Sequence, residues 1–128
     1  MRISITNEVK VMVETAYQND QYSAYKSQHM FAYRITIINQ SDFTIKLLRR
    51  HWHIIDVPYS HSEVEGEGVV GLQPILEPGE NHHYVSGCAL VSPIGKMYGT
   101  YTMERQLDGK QFVVQIPEFV LQVPLLLN

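Results

Sequence analysis

VEGEGVVGLQPILEPGE, residues 64–80, is the stretch on which the choice of fold turns. Gly66, Gly68 and Gly71 reproduce the G-x-G-x-x-G spacing of a dinucleotide-binding loop, which would make the chain α/β. Such a loop works only between a strand and a helix, because its glycines let the helix N-terminus approach a pyrophosphate. Here Leu72 and Gln73 run into Pro74, and Pro78-Gly79 follows soon after. A proline inside a helix removes a hydrogen bond and clashes with the preceding turn. No Asp or Glu occurs from Asn81 through Met103, where a ribose partner would lie, and no Lys or Arg occurs between Arg50 and Lys96. Asp56, Glu63, Glu65, Glu67, Glu77 and Glu80 all fall in that interval, so a polyphosphate would meet carboxylates without countercharge. The glycines instead read as positive-φ positions and points of close backbone approach in turns. An enzyme acting on nucleotides is the least favoured function.

The sequence on either side alternates with a period of two. Ile3, Ile5, Val9, Val11 and Val13 fall on odd positions, as in one strand with a buried face. The polar run QNDQYSAYKSQ, residues 18–28, reads as a loop. Phe31, Tyr33, Ile35 and Ile37 then share a face, and NQSD, residues 39–42, is a cluster of residues that satisfy their own backbone in a turn. Phe43, Ile45 and Leu47 restart the alternation, while Trp52 and Ile54 continue it on even positions. That change of phase near LLRR predicts a bulge or bend. Residues 59–65, 82–90 and 95–107 alternate again, the last two separated by VSPIG. Asp108-Gly109 is a hairpin dipeptide. A last short strand, FVLQV, is expected between Pro117 and Pro124, where prolines can bound a strand without removing a ladder bond. No window has a helical period. The expected fold is all-β: an antiparallel immunoglobulin- or fibronectin type III-like β-sandwich of seven or more strands, in a single domain over residues 1–128.

Composition narrows the function. The 128 residues are 45% hydrophobic and 18% charged, ordinary for a globular chain able to bury a core. A net charge of -3 gives no electrostatic basis for binding nucleic acid or an anionic membrane. Cys88 is the only cysteine, which rules out an internal disulfide and a cysteine-based zinc site. The opening MRISITNEVK lacks an apolar signal core, and no apolar run reaches the length of a bilayer span. A cytoplasmic location is expected.

VEGEGVVGLQPILEPGE, continued by YVSGCAL, PIGKMYGTYTM and IPEFVLQVP and preceded by RRHWHI, resembles the ApaG family of bacterial proteins over most of the chain. The resemblance implies a fibronectin type III-like sandwich. Similar domains occur in eukaryotic F-box and DNA-polymerase-interacting proteins, where they imply protein–protein contact. The bacterial members imply a link to cobalt and magnesium tolerance, with no activity attached.

Three constellations compete for a functional role. Glu63, Glu65, Gly66, Glu67, Gly68 and Gly71 form an acidic, glycine-rich segment with backbone open to a partner, against the plainer reading of a solvated strand face opposite Val64. His51 and His53 lie two apart on one strand face. They could hold a transition metal if a neighbour such as His61, His82 or His83 supplied a third ligand, against a reading as solvent-facing histidines. The glutamates could likewise attract a hard cation such as magnesium. Ser86 and Cys88 lie near His82 and His83 without an orienting acid, and a lone cysteine in an alternating strand is usually a buried apolar residue. Tyr98, Tyr101, Met97 and Met103 read as one packed face and one outward face. The tail VPLLLN could pack on the sandwich or on a second subunit, so a homodimer stays open. The favoured function is a non-enzymatic module binding an unidentified protein through the acidic glycine-rich segment, without cofactor. The alternative is a divalent-cation-binding or cation-sensing protein.

Overall fold

The computed structural model describes residues 1–18, 28–57 and 60–124. Nine strands fill them: β1 (Arg2–Thr6), β2 (Val9–Tyr17), β3 (His29–Asn39), β4 (Ile45–Asp56), β5 (Ser60–Glu67), β6 (Ile75–Leu76), β7 (Asn81–Leu90), β8 (Ile94–Arg105) and β9 (Gln111–Gln122). All pairings are antiparallel, and they form two sheets. One has the order β1-β2-β3-β7 and the other β5-β4-β8-β9, with β6 pairing the start of β4. The expected antiparallel sandwich is therefore present. Most of the polar run 18–28, the start of the stretch 59–65 and the end of the VPLLLN tail lie outside the described residues. Val123, which is described, packs against the core and donates its N–H to Pro93 O at 2.9 Å.

The inner faces follow from the pleat. Val9, Val11 and Val13 of β2 and Phe31, Tyr33, Ile35 and Ile37 of β3 are buried against Leu47, Trp52, Met97, Tyr101, Met103 and Phe119 of the facing sheet. The rings of Tyr33, Trp52 and Phe119 lie with centroids 5.5–5.9 Å apart in tilted or edge-on contact, tying the sheets together near their middle.

Two expectations are corrected. Ile3 and Ile5 do not extend the strand of Val9, because Asn7 and Glu8 both take positive φ (50° and 62°) and turn the chain back on itself. Partners across a hairpin share a face, so Ile5 sides with Lys10 and Ile3 with Met12, away from the core. They are 62% and 51% exposed. FVLQV is also not a separate strand: β9 runs through Pro117 without a break. The register shifts where Pro117 and Glu118 face Tyr98 alone, and at that bulge a proline costs no ladder bond. The bulge expected at LLRR is found between Leu47 and Arg49, with Leu48 the extra residue.

The sandwich closes differently along its two sides. On one, β1 meets β9: Ser4 Oγ donates to Gln115 O at 2.8 Å, Asn7 Nδ2 donates to Val113 O at 3.0 Å, and Gln115 N donates to Thr6 Oγ1 at 3.2 Å. On the other, β5 and β7 are the edges of their sheets, and the seam between them opens into a cavity.

Candidate functional site

β5 carries the acidic segment. It is the terminal strand of its sheet, and all its residues are exposed except the half-buried Gly66. Glu63, Glu65 and Glu67 share the outer face and stand opposite His53, His51 and Arg49 of β4. Two of the three glutamates are engaged. His51 Nε2 lies 2.8 Å from Glu63 Oε1, and its Nδ1 lies 3.1 Å from Glu65 Oε1. The hydrogen bond from His51 holds the Glu63 carboxyl below its usual range, with the charges of His53, His51 and His61 adding to the effect.

His51 and His53 share the outer face, their rings stacked at 4.7 Å. His53 Nδ1 is 3.1 Å from His61 Nε2, and the His53 ring lies nearly parallel to Tyr98, 4.7 Å away. One ligand atom each from His51, His53 and Glu63 falls within 4.8 Å of the others. Imidazole and carboxylate donors at that spacing suit a borderline ion such as zinc or cobalt. His61 adjoins this group. His82 and His83 lie on β7, in the other sheet, and take no part in it.

The three glycines have separate structural tasks. Gly66 faces the Arg50 guanidinium: a Cβ there would lie 2.9 Å from both Nη1 and Nη2 of Arg50. Gly68 has φ +63°, and a Cβ on it would stand 2.1 Å from Leu72 O. Gly71 (φ +76°) follows Val70 (φ 47°) in a two-residue turn closed by Leu72 N to Val69 O at 3.0 Å. Two positive φ values in succession mark a type I′ turn. Pro74 follows with its carbonyl accepting from Leu47 N, so the segment returns to the sheet as β6 rather than entering a helix.

The family-model comparison matches residues 19–105 to the ApaG domain. The chain is 42% identical over 121 residues to protein ApaG of Sinorhizobium fredii, covering 94% of this chain and 92% of that one. It is 41% identical over 124 residues to protein ApaG of Brucella abortus, covering 97% and 95%. The chain belongs to the ApaG family. Among solved structures it resembles a structural-genomics target designated SoR45 (TM-score 0.87, 42% identity, 94% and 91% coverage). It also resembles an ApaA protein from Bordetella pertussis (TM-score 0.85, 41% identity, 91% and 94% coverage). An Archaeoglobus fulgidus protein at 12% identity and TM-score 0.52 shares the fold alone.

Four of the five segments that carry the ApaG resemblance reach the open seam. Arg50 and Trp52 from RRHWHI, Val64 and Val70 from the glycine-rich stretch, Ser86 from YVSGCAL and Met97 from PIGKMYGTYTM all line one cavity of about 310 Å³. Sequence reading passed over Arg50 because an arginine in an alternating strand is ordinarily assigned to the solvent side. Its signal was parity, since Arg50 shares its phase with Trp52 and Ile54. Arg50 Nη1 donates to Glu67 O at 2.9 Å and to Gly68 O at 3.1 Å, which holds the guanidinium across Gly66 at the mouth of the seam. Deeper in, the hydroxyls of Tyr84 and Tyr101 are hydrogen-bonded to each other, and burial pushes both well above the usual tyrosine value. Cys88 lies on the same inner face, and burial pushes its thiol up to about 11, which disfavours the thiolate form. No helix among the described residues is long and apolar enough to cross a membrane.

Proposed function

We propose that this ApaG domain is a binding module that takes an extended segment of a partner protein along the free edge of β5. The observation supporting it is the position of β5: it ends its sheet, it is exposed along its length, and nothing among the described residues pairs its outer edge. An open edge offers backbone donors and acceptors to an added strand. Glu63, Glu65 and Glu67 would favour a partner with basic side chains at alternate positions. The glycines contribute by shaping the segment. Gly68→Arg would test folding rather than the contact, since the site has no room for a Cβ.

The informative variant is Glu63→Gln/Glu65→Gln/Glu67→Gln. Exposed ion pairs contribute little to stability, so its thermal unfolding should stay within a few degrees of the parent. Capture of the partner should be lost, and capture by the parent should weaken with salt. Undiminished capture by this variant would overturn the reading.

A second reading is favoured by one specific observation, the convergence of His51, His53 and Glu63. In it the outer face binds a divalent transition ion. Metal-stripped protein should melt at a higher temperature with zinc or cobalt, because a ligand selective for the native state stabilises it. His51→Ala should remove that rise. Magnesium should have little effect, since Glu63 and Glu65 are already engaged by imidazole. Equal shifts in parent and His51→Ala would exclude this site.

A further inference from the structure

We propose that the cavity in the β5–β7 seam binds an organic carboxylate, with the acid on Arg50 and an apolar body between Trp52, Val64 and Met97. The walls set the ligand class. The cavity of about 310 Å³ lies at the lower end of the small-molecule range, about 300–1,000 Å³. Its lining is mostly apolar, with a few polar groups from both sheets, among them Arg50, Tyr33 and Ser86.

Arg50 is the reason for an anion. It occupies an inner-face position, flanked in register by Gly66 and by the fully buried Tyr101. Both backbone bonds it donates leave from Nη1. Nη2 and Nε keep donors with no acceptor among the described residues, in the planar array that a carboxylate accepts. Tyr33, Tyr84 and Tyr101 all lie close enough to feel the guanidinium charge.

Charge limits the ligand to a monoanion. Among the described residues Arg50 is the only cation lining the cavity, and the outer face of β5 next to it is acidic. A phosphate or polyphosphate would exceed the available countercharge.

A separate observation comes from Val70. A β-branched residue at φ 47° is strained. Asn would suit the first position of this turn far better. Val70 nevertheless places an apolar side chain on the cavity lip. Strain held at the rim of a cavity is accounted for if the rim contacts something apolar.

Two sources share this chemistry: a free small acid, and the C-terminal residue of a polypeptide. Trp52, the only tryptophan, lines the cavity and reports on it directly. The test is a fluorescence titration with 3-phenylpropionate, 3-phenylpropionamide, inorganic phosphate, and a pentapeptide ending in phenylalanine as the free acid or the amide. Saturable change with phenylpropionate but not with its amide or phosphate supports the proposal and a small-acid source. Saturable change with the free-acid peptide alone supports it and a polypeptide source. Arg50→Gln should weaken binding about tenfold or more, the value of one charge-assisted pair.

In case Arg50→Gln unfolds, Gly66→Ala displaces the guanidinium and Val64→Phe fills the cavity. Each should weaken binding while the far-ultraviolet circular dichroism stays that of the parent. The proposal is overturned by no saturable change with any acid, by equal response to acid and amide, by phosphate binding as well as the acids, or by unchanged binding in folded Gly66→Ala and Val64→Phe.

Discussion

Gly66 and Gly68 are two residues apart in one motif, yet the physical demands on them differ. A methyl group at 66 meets the far end of a flexible arginine, which can move. At 68 it meets a backbone carbonyl at 2.1 Å in a left-handed conformation, which cannot. Gly66→Ala should therefore lower stability by under about 1 kcal/mol, and Gly68→Ala by more than about 2 kcal/mol. Urea midpoints of the two variants check this, and equal losses would show that the distinction is wrong. The sequence made these glycines legible as turn and close-approach residues, but not which of them served a side chain. That depends on Arg50 facing inward, sixteen residues from Gly66 in sequence and adjacent to it in register.

His82 makes a different argument at the same scale. Burial, and secondarily the charge of His83, hold it below the usual value of 6.5, and its Nε2 lacks a hydrogen-bond partner among the described residues. The folded chain thus favours the neutral ring, and the unfolded chain takes up the proton first as pH falls. The sign follows: the contribution is present above about pH 6.5 and is lost as pH falls through the lower folded value. Denaturation midpoints should decline from pH 7.5 to 5.5, less steeply in His82→Gln. Parallel declines would assign the pH dependence to other groups.

Among the elements, the turns separate what alternation can and cannot reveal. Asp108-Gly109 was readable because the glycine adopts φ 72° as the hairpin requires. Asn7-Glu8 forms an equally tight turn without glycine, and Ile3, Ile5, Val9, Val11 and Val13 keep to odd positions on both sides of it. A period of two cannot tell a continuing strand from a hairpin that flips its face. Pro117 misled in the opposite sense, because proline reads as a boundary unless the bulge that accommodates it is known. NQSD was legible because its chemistry is local: Asn39 Oδ1 accepts from Ser41 N at 3.0 Å and from Ser41 Oγ at 2.6 Å.

The connection between β7 and β8 shows what a buried carboxylate contributes to an element. Asp56, at the end of β4, is buried and accepts from Val91 N at 2.7 Å and Ser92 N at 2.9 Å. Neither donor has another protein acceptor among the described residues, so Asp56→Ala should cost about 2–4 kcal/mol. Asp56→Asn, which keeps one acceptor, should cost less. A loss below about 1 kcal/mol for alanine would mean that water replaces the carboxylate. The Val70 turn predicts a gain instead. Val70→Asn relieves the left-handed strain and should raise stability by about 1 kcal/mol, measured by the same denaturation midpoints, and an unchanged midpoint would show that the turn stores no strain.

For the whole molecule, the two sides of the sandwich imply a gradient of protection. β4 and β8 are interior to their sheet and carry the largest buried side chains, while β1 and β9 close one seam through side-chain bonds to backbone. β5 has one paired side and an exposed surface. Amide hydrogens exchange through local opening, whose free energy is lowest where few apolar contacts must be broken. In native-state exchange the amides of β8 should approach the protection of global unfolding, and those of β5 should exchange fastest among the strands of this sheet. The experiment also reaches beyond the monomer. If β5 proves as protected as β8 in concentrated protein and loses that protection on dilution, a second copy covers the edge, and the edge is a homodimer contact. Protection independent of concentration would mean that the edge is closed within the chain, and the added-strand reading would fall. Fast exchange at every concentration is the outcome expected of an edge kept open for a partner.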